Sequence, residues 1–104
     1  MKSQISVAIA SVPQDIIESF CRDNQIHWLA IFGSAVGDSF HSGSDIDLLV
    51  EFESDAQIGF LDLSRMQREL TDIWGRPVDL VPRNGLKPII RKQVLESART
   101  LYAA

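Results

Sequence analysis

Three short groupings in this 104-residue sequence hold residue types that could do chemistry together: Gly33-Ser34, Asp45-Ile46-Asp47 and Asp79. Asp45 and Asp47 stand two apart, and on an extended strand that spacing sets their Cα atoms about 7 Å apart with both carboxylates on one face. Like charges so placed repel each other and cost stability unless a cation or hydrogen-bond donors compensate. Mg²⁺ suits such oxygen donors, and two ions roughly 4 Å apart can hold a triphosphate, stabilise charge at the α-phosphorus and activate an attacking oxygen. Gly33 closes an apolar run, where a missing side chain lets the backbone approach a phosphate, and Ser34 adds a hydroxyl at the start of the following turn. Asp79 interrupts the apolar run Val78 to Val81 and could complete the carboxylate set as a third metal ligand and general base.

Taken singly, each grouping has an ordinary explanation. A Gly-Ser pair after a strand is usually a turn with a helix cap, paired aspartates can be a solvated strand end, and a lone aspartate beside a turn is commonly a surface residue. Their combination points to transfer from a nucleoside triphosphate onto a hydroxyl. His27 and His41 lie far from any Cys or His pattern of zinc-ligand spacing, and His41 reads as an exposed loop residue.

The elements that must position these residues follow from the apolar periodicity. Ile16, Ile17, Phe20 and Cys21 recur at helical spacing between Pro13 and Asn24, and Trp28 to Phe32 is a continuous apolar run expected to form a buried strand. Residues 35–44 are small and polar and read as a turn or short helix followed by a loop. From Asp45 to Phe52 the alternation puts Ile46, Leu48, Val50 and Phe52 on one face, with Asp45, Asp47, Leu49 and Glu51 on the other. Leu63, Met66, Leu70, Ile73 and Trp74 form a stripe predicting a helix over Phe60 to Trp74, stopped at Gly75. A short strand Val78 to Val81, closed by Pro82, precedes a last helix expected over Lys87 to Tyr102, with Ile90, Val94, Leu95, Ala98 and Leu101 inward. This alternation predicts a mixed α/β domain, a small mixed β-sheet flanked by helices.

Composition sets the outer limits. At 11.6 kDa the chain is expected to form a single domain over residues 1–104, with a core that needs neither disulfide nor structural metal. Ten Lys and Arg against 14 Asp and Glu give a net charge of −4, and the scattered cations argue against a nucleic-acid backbone as partner. The sole cysteine, Cys21, is expected to pack as a small apolar residue. No run approaches the roughly twenty apolar residues of a membrane span, so a cytoplasmic protein is expected.

Gly33-Ser34, ten intervening residues, and then Ser44-Asp45-Ile46-Asp47-Leu48-Leu49-Val50-Glu51-Phe52 resembles the signature of the DNA polymerase beta-like nucleotidyltransferase superfamily. Leu29 to Ser34, Gly75 to Val81 and Ala98 to Tyr102 look like its minimal nucleotidyltransferase (MNT) branch over nearly the whole chain. That branch is commonly the antitoxin half of a pair with a HEPN-domain ribonuclease toxin. The resemblance implies that Asp45, Asp47 and Asp79 hold Mg²⁺ and carry catalysis, with Gly33, Ser34 and Ser44 on the nucleotide. It also implies transfer of AMP from ATP to a tyrosine hydroxyl of the HEPN partner. Separately, an apolar outer side of the last helix could serve a homo- or hetero-oligomer or partner docking, and the sequence leaves the oligomeric state open. An antitoxin that neutralises its partner by binding alone is the alternative; a small-molecule acceptor is disfavoured because so short a chain lacks a second domain to enclose one. The sequence departs from many relatives in one respect. Val36 and Gly37 stand where an arginine often follows the Gly-Ser pair, and Arg76, Arg83, Lys87 and Arg91 are the cations that could replace it.

Overall fold

The structure, a computed structural model, describes residues 12–33 and 45–104. Helix α1 (Gln14–Asp23) leads into β1 (Ile26–Phe32); β2 (Ile46–Phe52), α2 (Phe60–Trp74) and β3 (Val78–Pro82) follow. A single 3₁₀ turn (Arg83–Gly85), α3 (Pro88–Ser97) and β4 (Arg99–Ala103) complete the chain. The four strands form one mixed sheet in the order β3-β2-β1-β4, in which β1 runs antiparallel to β2 and to β4 while β2 and β3 run parallel.

Burial explains which elements hold the sheet. Ile46, Leu48 and Val50 of β2 alternate into a core shared with Leu29 and Ile31 of β1, Ile17 and Phe20 of α1, and Met66, Leu70 and Trp74 of α2. These are the residues that the period of two on β2 and the period of 3.6 on α2 select. Leu49 and its β1 partner Ala30 are fully buried although alternation puts them on the opposite face. Cys21 lies within the core, and burial pushes its thiol up to about 12, so it packs as an apolar residue and carries no thiolate at neutral pH.

The ends of α2 are set locally. The Gly59 N–H donates to Asp62 Oδ2 at 3.0 Å, a side chain reaching back to the cap. Gly75 takes the left-handed conformation at φ 72° and donates its N–H to Thr71 O at 2.8 Å, the stop expected there. The exposed side of the same helix turn serves β3. The outward N–H of Val78 donates to Thr71 Oγ1 at 3.1 Å and that of Leu80 to Gln67 Oε1 at 2.8 Å, so two helix side chains close the edge that β3 would otherwise present.

The C-terminal region differs from the long helix that its periodicity predicts. Helix α3 stops at Ser97, and Arg99–Ala103 instead forms β4 along β1. Without β4, β1 would carry a row of unpaired backbone groups on its second side, and satisfying them outweighs a helical preference spread over Ala98 to Tyr102. Trp28 Nε1 adds a hydrogen bond to Thr100 Oγ1 at 3.1 Å. Leu101 accordingly reaches the core at 8% exposure, whereas Ile90, expected inward, is 42% exposed. Leu101→Ala should therefore cost about 2–5 kcal/mol in urea unfolding and Ile90→Ala less than about 1 kcal/mol; equal costs would return both residues to one helix face.

Candidate active site

Two strand pairings build the site. Across the parallel ladder Asp47 of β2 is the direct partner of Asp79 of β3, and across the antiparallel ladder it is the partner of Phe32 of β1, the residue before Gly33. Adjacent strands lie about 4.8 Å apart, so Asp47 and Asp79 stand abreast while the glycine turn begins on the other side of Asp47. The register is held at its start by the Ile46 N–H, which donates to Pro77 O at 2.9 Å. Asp45 is exposed immediately before β2, Asp47 is half-buried, and Asp79 is exposed on the outer strand.

Gly33 proves necessary for a reason that spacing alone does not reveal. Its φ of +78° lies in the left-handed region, and a Cβ at that position would collide with Oδ2 of Asp47. The half-buried carboxylate thus occupies space that only a glycine leaves open. This close approach removes Asp47 from water, and that desolvation is the main cause raising its pKa, followed by the charges of Asp79 and then Asp45. The repulsion expected between the aspartates thus adds to desolvation at Asp47.

Among the described residues no three His, Cys, Asp or Glu side chains converge into a ready-made metal cage. The structure brings together an in-register pair, with Asp45 close enough for its charge to act on Asp47. Such an arrangement fits Mg²⁺, which retains several waters and takes one or two carboxylates plus substrate phosphates rather than a closed protein shell. Ser34, Ser44 and His41, together with Val36 and Gly37, lie outside the described residues. Of the cations proposed to replace the absent arginine, Arg83, Lys87 and Arg91 follow the far end of β3. Arg83 is engaged there, 3.3 Å from Glu51 and over the Trp28 ring at 5.4 Å. Only Arg76, just before Pro77, belongs to the carboxylate end. Position along the strands separates it from the other three, a distinction the sequence could not supply before β3 was placed.

The mixed sheet presents paired carboxylates beside a left-handed glycine, an arrangement that suits metal-assisted phosphate chemistry. The nucleotidyltransferase domain family matches residues 14–101, and the chain belongs to that family: it is a nucleotidyltransferase. A curated Methanocaldococcus jannaschii protein described as a candidate protein adenylyltransferase is 36% identical over 69 residues, covering 66% of this chain and 72% of that protein. A second from the same organism, described alike, is 38% identical over 69 residues, covering 65% and 68%. Among solved structures, a candidate minimal nucleotidyltransferase superposes with a TM-score of 0.73 at 31% identity, over 92% of this chain and 94% of that one. The complex of a tri-AMPylated Shewanella oneidensis HEPN toxin with its MNT antitoxin shares the fold at a TM-score of 0.64 and 20% identity, over 88% of this chain and 70% of that one.

The raised pKa of Asp47 has a definite sign in stability. A carboxyl that is harder to ionise folded than unfolded favours the fold below its ordinary range near pH 4 and loses that contribution as pH rises through the folded value. Asp47→Asn should therefore melt higher than the parent at pH 7, with the advantage fading below about pH 4. Calorimetry without divalent metal measures this, and a lower melting point at pH 7 would contradict the burial and neighbouring charge that disfavour the ionised carboxylate. Gly33→Ala should behave oppositely, losing stability and nucleotide binding together, because both the backbone and the Asp47 carboxylate must move.

Proposed function

We propose that this chain transfers AMP from ATP, with Mg²⁺, onto a hydroxyl of a protein partner, a tyrosine of a HEPN-domain toxin, and so acts as the antitoxin of the pair. The observation that carries the reading is the register of Asp47 against Asp79 beside Gly33. The relatives described as candidate protein adenylyltransferases support AMP as the group moved. The shared fold with an MNT antitoxin bound to an AMPylated HEPN toxin supports the partner. Among the described residues no helix is long and apolar enough to cross a membrane.

In this reading Asp45, Asp47 and Asp79 would hold the metal, and the metal would supply neutralisation of the charge on the triphosphate and of the developing negative charge. Gly33 gives the backbone clearance for Asp47, and Ser34 and Ser44 are assigned to the nucleotide. Asp79, exposed on the outer strand where a large acceptor has access, takes the proton of the attacking hydroxyl. The acceptor oxygen bonds to the α-phosphorus as the bond to the bridging oxygen breaks, and pyrophosphate leaves with that electron pair. Arg76, which precedes Pro77 at this end of the sheet, is assigned to the phosphates.

A binding-only antitoxin is the second reading, and it draws on the location of three of the four candidate replacement cations at the wrong end of β3. Intact-mass spectrometry of a HEPN partner incubated with the chain, ATP and Mg²⁺ separates the two. Additions of whole AMP units are expected, reduced about 10²–10³-fold in rate by Asp47→Asn. A stable complex that never gains mass would leave binding alone. Arg76→Ala should lower kcat/KM for ATP roughly 10- to 100-fold, the loss of one charge-assisted contact, and an unchanged value would remove Arg76 from the site.

A further inference from the structure

The end of the sheet remote from the aspartates carries a surface that the transfer reaction does not use. Because β2 and β3 are parallel neighbours, with Val50 opposite Pro82, the connections leaving both strands emerge at the same end, about 10 Å along the strands from Asp47 and Asp79. Helices α2 and α3 both follow from that end. Five large apolar side chains are exposed among the described residues, and four of them fall in the first turns of these two helices. Phe60 and Leu61 open α2 at 81% exposure each, and Ile89 and Ile90 open α3 at 87% and 42%. The grooves between are continuous: Phe52, Ile58, Phe60, Pro82 and Asn84 line one, and Phe52, Pro82 and Asn84 return in the next beside Arg83 and Arg91. Four exposed apolar side chains that follow from one end of the sheet, with Phe60 bordering its groove, mark a contact surface.

Charge around this surface is divided. Residues 51–64 hold Glu51, Glu53, Asp55 and Asp62 and no Lys or Arg, whereas residues 80–95 hold Arg83, Lys87, Arg91 and Lys92 and no Asp or Glu. Within the chain only Glu51 and Arg83 pair across the divide, at 3.3 Å. Among the described residues Asp55, Asp62, Lys87, Arg91 and Lys92 enter no ion pair. An apolar centre with an acidic side and a basic side is self-complementary under a two-fold rotation, which sets the acidic side of each copy against the basic side of the other.

We infer that this end of the molecule is a homodimer interface, with a second copy of the chain as its occupant. Phe60, Leu61 and Ile89 form the buried centre and the two charged segments form a reciprocal rim. The arrangement leaves the Asp47–Asp79 end of each protomer pointing away from the axis and free for a large acceptor.

Sedimentation velocity and light scattering of the chain alone test the inference. A dimer is expected at about 100 µM, and Phe60→Ser with Ile89→Ser should give monomers whose circular dichroism is unchanged. The two-fold symmetry gives a sharper signature. Asp55→Lys with Glu53→Lys, and separately Lys87→Glu with Lys92→Glu, should each be monomeric, because each sets like charges against each other twice. Mixing the two variants should restore a dimer, since the reversed positions of one then face the reversed positions of the other with opposite charge. A parent chain that stays monomeric overturns the inference, as do charge variants that dimerise alone or fail to associate when mixed. A monomeric parent whose Phe60→Ser variant binds a HEPN partner less tightly would reassign the surface to that partner.

Discussion

Two aspartates held side by side on parallel strands are the constraint around which the rest of this small protein is organised. The ladder between β2 and β3 sets Asp47 against Asp79 with no freedom to separate except by breaking backbone hydrogen bonds. Burial of Asp47, and after it the charge of Asp79, makes the cost local and raises the Asp47 pKa. It is tolerated because the flanking residues Ile46, Leu48 and Leu80 are anchored in the core. Packing energy that has nothing to do with transfer thus holds together a charge arrangement that would otherwise relax.

The mixed sheet also decides where the chemistry can sit. In wholly parallel sheets the carboxyl ends of strands gather the functional loops. Here β1 is antiparallel to β2, so the carboxyl end of β1, with Gly33, meets the amino ends of β2 and β3, with Asp47 and Asp79. One end of the sheet therefore collects Gly33 and a carboxylate pair from three strands. The opposite end receives the starts of two helices and divides the work of the molecule into two ends.

Much of this arrangement was legible in the residues. The alternation Ile46, Leu48, Val50 and the stripe Met66, Leu70, Trp74 identify β2 and α2 because burial on one face imposes their periods. Asp79 was readable as a strand residue, but its partner was not: register across β2 and β3 is a long-range property, and neither strand names its neighbour. Strand β4 escaped because Ala98, Leu101 and Tyr102 are compatible with a helix until the open side of β1 is known. Gly33 was picked out for phosphate approach, yet its steric role towards Asp47 depends on a strand that begins more than ten residues later. The cations Arg76, Arg83, Lys87 and Arg91 looked equivalent in sequence, and only topology sorts them by end.

Gln67 and Thr71 look like ordinary polar residues on the outer turns of a helix. Their acceptance of the Leu80 and Val78 N–H groups gives them another standing. With β2 gripping one side of β3 and these two side chains the other, the strand is indexed from both sides, and a slip of one residue would break both sets of bonds while turning Asp79 to the opposite face. Tolerance to substitution at Gln67 and Thr71 is thus governed by catalytic alignment as much as by helix stability, so positions that touch no substrate become guardians of the reaction geometry.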